Sequence, residues 1–63
     1  MNGGYAMLNA SNLEYDHVAM LYTLGKPVII YENGVGAPAC ISKTENTYTI
    51  TAVSGETYTV TPA

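Results

Sequence analysis

SNLEYDHVAMLYTLGKP, residues 11–27, is the stretch whose reading decides the fold. Ser11 and Glu14 stand at capping-box spacing: the hydroxyl accepts from the amide at 14 and the carboxylate reaches back. Leu13, His17, Met20, Leu21 and Leu24 then recur at i, i+4, i+7, i+8 and i+11, which puts them on one stripe of a helix. Glu14 and Asp16 fall in the first turns, where the positive helix end favours acids. Gly25 supplies a left-handed C-terminal residue, and Pro27 stops the helix. The run YDHVAMLYT also alternates as a strand would, with Val18, Met20 and Tyr22 on one side. Stop and start signals at both ends decide for a helix over 12–24.

Outward from this helix the composition changes. All four leucines and all three methionines lie within 1–24, whereas all four isoleucines lie at or beyond 29 and seven of eight threonines lie within 44–61. Unbranched and γ-branched chains suit helices and β-branched ones suit strands, so the two parts favour different structure. YAMLNA at 5–10 alternates as a short strand. VIIYE at 28–32 is the strongest strand, and its continuous apolar run implies cover on both faces. ENGVGAP at 32–38 reads as a long turn. Strands at 38–43, 47–53 and 57–61 follow, the first two joined through TEN at 44–46. For the last hairpin, a two-residue Ser54–Gly55 turn would set Ile50 opposite Thr59. A three-residue loop Val53–Ser54–Gly55 pairs Ile50 with Tyr58 and Tyr48 with Val60, keeps the apolar faces together, and puts Gly55 at the left-handed bulge position.

The expected architecture is a small α+β domain of the type β-α-β-β-β. The helix packs on one face of a four- or five-strand mixed sheet, with a right-handed crossover between its flanking strands and a meander after them. A small all-β barrel is the competing fold. A single domain is the ceiling for 63 residues. Scaling gives roughly 3900 Å² exposed when folded against about 9700 Å² extended, so only about 60% of the surface can be buried. One helix leaves the other sheet face open.

The usual supports for so small a core are missing from the sequence. Cys40 has no partner for an internal disulfide, and with His17 it falls short of the four ligands of a structural zinc site. No cofactor is expected. Lys26 and Lys43 are the only basic residues against five acids, which excludes the phosphate-neutralising patch of a nucleic-acid interface and disfavours an anionic membrane. No apolar run reaches the 18 residues of a membrane span, and MNGGYAMLNA lacks the basic start of a signal peptide; the expectation is a soluble chain.

Few residues invite a chemical role. His17 is the one acid–base candidate, with Glu14 three residues earlier, and reads more naturally as a packed or surface residue. Cys40, between Ala39 and Ile41, reads as a small buried hydrophobe rather than a nucleophile. Gly34–Val35–Gly36 lacks the further glycine or the Gly-Lys-Ser/Thr of a phosphate cradle and reads as a turn. Lys26 is a solvated charge at the helix end. Asn9–Ala10–Ser11 matches a glycosylation acceptor only formally, and Glu32, Glu45 and Glu56 have no ion-loop spacing. Six tyrosines with no phenylalanine or tryptophan stand above background, since each ring joins apolar area to a polar tip. Tyr5, Tyr22, Tyr31, Tyr48 and Tyr58 are the candidate interface residues.

GGYAM at 3–7, a short helix closing on LGKPVI at 24–29, and Thr/Tyr-rich hairpins ending in YTVTP at 58–62 together resemble small modules of phage and prophage structural proteins, including head-fibre-like proteins of gut bacterial phages. The resemblance implies an oligomeric structural or adhesive role, with a place in the virion, and brings no catalytic residue with it. The functional expectation is therefore a non-enzymatic structural or interaction module acting as a homo-oligomer or within a larger assembly. The alternative is a small ligand-binding or regulatory subunit with a tyrosine-lined pocket.

Overall fold

The computed structural model describes residues 4–62. The elements are β1 (Ala6–Asn9), α1 (Tyr15–Leu24), β2 (Val28–Glu32), β3 (Val35–Thr44), β4 (Thr47–Ala52) and β5 (Thr57–Val60). Sheet order follows chain order. β1 is parallel to β2 across the helical crossover, and every later pair is antiparallel. This is the expected α+β domain, with one strand more than the β-α-β-β-β shorthand counts.

The helix starts later than its sequence implies. Ser11 does not cap it: the Ser11 amide and hydroxyl both donate to Asn9 Oδ1, and the Asn12 amide donates to the Asn9 carbonyl. The asparagine side chain thus holds residues 9–12 in a turn, a competition for backbone partners that short polar side chains often win. Glu14 occupies the N-cap position with extended backbone and no side-chain cap. At the other end Gly25 is left-handed, and its amide donates to the carbonyls of Leu21 and Tyr22, as its position implies.

The buried stripe is also displaced from the expected one. Val18 and Leu21 are buried, with Tyr15 and Ala19 packed beside them, whereas His17 is exposed, Met20 is 52% exposed and Leu24 61%. Tyr15 joins the stripe, and of the five residues expected there Leu21 is buried and Leu13 packs partly buried against the core. Together with Leu8, Val28, Ile30, Tyr48, Ile50, Ala52 and Val60 these residues form one core.

The sheet is bent, and β3 bends it. Residues 35–39 of this strand pair with β2 and residues 39–44 with β4, so Ala39 alone is matched on both sides. The result is two three-strand units sharing one strand, folded toward each other around the core. A side-chain bond shows how far the bend goes. The Tyr58 hydroxyl of β5 donates to the Glu32 carboxylate of β2, although β3 and β4 lie between. Three strand spacings alone would separate them by about 14 Å in a flat sheet. The sheet therefore has the curl of an incomplete barrel, with the helix as its plug.

β3 begins three residues before the expected 38. Asn33 and Gly34, with φ of 53° and 79°, form a two-residue turn of the primed kind that joins Glu32 directly to Val35. Gly36 is a strand residue lying under the Tyr31 ring, whose Cζ stands 2.9 Å from where a Cβ would be. Pro38 is tolerated because β3 overruns β4 here: its carbonyl accepts from the Val53 amide, and its missing N–H faces the same side, past the end of β4. The last hairpin has the expected three-residue loop and register, Tyr48 opposite Val60 and Ile50 opposite Tyr58, with Gly55 at φ 100°.

Glu45 is the exposed oddity of the β3–β4 turn, a non-glycine residue at φ 55°. Left-handed backbone costs an L-residue about 1–2 kcal/mol, while glycine loses about 0.4–1 kcal/mol through the freer unfolded chain. Glu45→Gly is therefore expected to stabilise by about 0.5 kcal/mol and to raise Tm by about 2–4 °C. Calorimetry checks this, and an unchanged or lower Tm contradicts the assigned turn strain.

Candidate interaction surface

Side chains alternate across a strand, so the registers assign every sheet residue to the helix side or to the outer side. On the β1–β2–β3 unit the outer rows are Met7–Ile29–Pro38 and Asn9–Tyr31–Gly36. The bond from the Val53 amide to Pro38 extends the first row to Val53. On the β3–β4–β5 unit they are Cys40–Thr51–Thr57, Ser42–Thr49–Thr59 and Thr44–Thr47. One half of the outer face is thus mainly apolar and the other half is a grid of hydroxyls. A shallow depression of about 300 Å³ marks the junction, lined by Pro38, Cys40, Thr51 and Val53 with Ala39 and Ala52.

Among the described residues no charged side chain lies on this face. Glu14, Asp16 and Lys26 belong to the helix and its ends, and Glu45 and Glu56 to turns. Glu32 and Lys43 share the parity of the core residues: Glu32 meets Tyr58, and Lys43 Nζ lies 5.7 Å from the centroid of the Tyr48 ring. Ile29 is only half-buried for the same reason that the face is bare. The helix covers the other side, so the apolar run of β2 does not have the double cover expected of it.

The five candidate tyrosines do not gather into one patch. Tyr48 is buried in the core, with Tyr15 and Tyr22 ring centroids 5.4 and 5.3 Å from its own. Tyr22 is partly exposed beside it, and Tyr58 is half-buried and bonded to Glu32. Tyr31 lies on the outer face over Gly36, and Tyr5 is exposed just before β1. Tyrosine count signalled amphipathic packing but not its location; the threonine alternation was the better guide to the outer face. Cys40 is a free and exposed thiol, not the expected buried hydrophobe, because its apolar neighbours Ala39 and Ile41 take the helix side.

The chemistry available elsewhere is sparse. Among the described residues no group of three or more His, Cys, Asp or Glu side chains can share a metal ion. No helix among them is long and apolar enough to cross a membrane. A polar recess of about 350 Å³ opens between the end of β1 and the β2–β3 turn, lined among others by Asn9, Ser11, Tyr31, Glu32 and Tyr58. Its one perturbed group is the Tyr58 phenol, pushed up to about 12 by its hydrogen bond to Glu32, by burial, and by the negative charges of Glu32 and Glu56. A phenol with that value is a poor proton donor near neutral pH. Comparison with protein-family models, with curated proteins and with solved structures finds no match to this chain.

The Tyr58–Glu32 bond has a titration signature. The folded chain holds this proton more tightly than the unfolded chain, where it leaves near 10. The stabilisation is whole below pH 10 and is lost as pH rises through about 12. Ultraviolet titration of the folded protein should show one phenol lagging behind the others, and Tyr58→Phe should remove both that lag and the alkaline loss of stability. A wild-type profile with no phenol lagging to that value would show that the bond is not formed in solution.

Proposed function

We propose that the chain is a non-enzymatic structural module that works as an oligomer, in the manner of the phage head-fibre-like modules its GGYAM, LGKPVI and YTVTP segments resemble. The observation that carries this reading is the outer sheet face. It is bare, uncharged and partly apolar in a chain whose net charge is −3. Small domains of this size are marginal without added support, and with a lone cysteine and, among the described residues, no group able to share a metal ion, unusually good packing and association with other chains are the supports left open. The sparse chemistry of the surface also favours assembly over catalysis.

A ligand-binding role is the second reading, favoured by the recess beside Tyr31 and Tyr58. That recess is polar and wide to solvent, whereas ligand sites commonly enclose most of the molecule they hold in mainly apolar walls. Glu32, its one carboxylate, is already engaged by Tyr58. Assembly therefore ranks first.

Light scattering coupled to size exclusion checks the reading. An oligomer is expected at micromolar protein, with a Tm that rises with concentration because association stabilises by mass action. A monomer that keeps a sharp, concentration-independent melting transition would falsify it.

A further inference from the structure

We infer that the occupant of the outer sheet face is a second copy of this chain, packed face to face about a two-fold axis so that apolar half meets apolar half and hydroxyl grid meets hydroxyl grid. The inference rests on the oligomeric reading above and adds to it the partner and the surface.

Three observations select a second copy. The first is charge. Two copies each carry a net charge of −3, so contacts through the helix ends or the turns would set Glu14, Asp16, Glu45 or Glu56 of one against the same surface of the other. The outer face is the broad surface on which like molecules meet without bringing charges together.

The second is chemistry. An isologous contact needs a surface complementary to itself. Each serine or threonine hydroxyl both donates and accepts, so the rows Ser42–Thr49–Thr59 and Cys40–Thr51–Thr57 can satisfy identical rows facing them. Met7 and Val53, 60% and 74% exposed, gain apolar cover from the same half of the other copy. A strongly charged partner would leave these hydroxyls and methyl groups poorly matched.

The third is area. The backbone outline is 29 × 27 Å in its two longer directions. The outer face is the convex side of the curled sheet, so two copies meet over its middle alone and their contact falls at the small end of specific interfaces. Such a pair is weak and reversible. The depression at Pro38, Cys40, Thr51 and Val53 lies at its centre.

The test introduces one charge at that centre. Thr51→Lys lowers the net charge from −3 to −2 and so weakens general repulsion between copies. Dissociation of this variant can then come only from placing the lysine in the contact. Sedimentation across a concentration series should show the wild type as a dimer, Thr51→Lys as a monomer, and Met20→Lys, on the outer side of the helix, as a dimer. Circular dichroism confirms that each variant is folded. If Thr51→Lys does not fold, the wild type decides alone. The Cys40 thiol is exposed in the single chain, so its alkylation by iodoacetamide should slow about tenfold between protein far below and far above the dissociation constant. A wild-type monomer at every concentration overturns both this inference and the oligomeric reading. A wild-type oligomer that Thr51→Lys leaves intact, or whose thiol stays equally reactive, overturns the face assignment alone.

Discussion

Val18, Ile30 and Ile50 are fully buried, and they come from the helix and from both halves of the bent sheet. Water excluded at this one point holds three separate pieces of chain together. Without it the β1–β2 pair and the β4–β5 hairpin share little beyond Ala39 of β3 and the Tyr58–Glu32 bond. Truncating any of the three would leave a cavity costing about 1–5 kcal/mol. That is a large share of the roughly 3–9 kcal/mol expected for a chain of this length. The helix has ten residues and the sheet five strands, so the same packing that closes the inner side leaves the outer side uncovered.

How much of this was legible depends on whether the signal was local. The register and loop of the last hairpin were readable because the alternation of Tyr48, Ile50, Tyr58 and Val60 against threonine favours one pairing, and Gly55 suits the three-residue loop. β2 was readable because a β-branched run follows Pro27. The start of β3 was not, because Gly36 and Pro38 carry turn signals that only the neighbouring strands cancel. Gly36 makes room for Tyr31, and Pro38 stands where β4 has already ended. Ser11 misled for a related reason: Asn9, two residues earlier, competed for it.

The outer face was legible in outline and not in extent. The threonine ladder of β4 and β5 announced an outward side, but the apolar rows on β1, β2 and β3 depend on a pairing of distant segments that no short window contains. Cys40 shows the difficulty well. Flanked by Ala39 and Ile41 it reads as core, and only the parity fixed by Ala39 opposite Ala52 turns it outward. The tyrosines were informative as a composition and silent as to place: rings at 15, 22 and 48 pack tilted against one another within one chain, while Tyr31 lies on the outer face.

Pro38 has a bearing on how such a molecule avoids fibres. β3 runs past β4 and leaves an edge along which a stray strand would find backbone partners. Proline withdraws a donor from that edge, and β1 and β5 are each only four residues long. Open-ended growth of the sheet is thereby discouraged at its edges. That protection matters most at high concentration, because strand pairing between chains is driven by concentration.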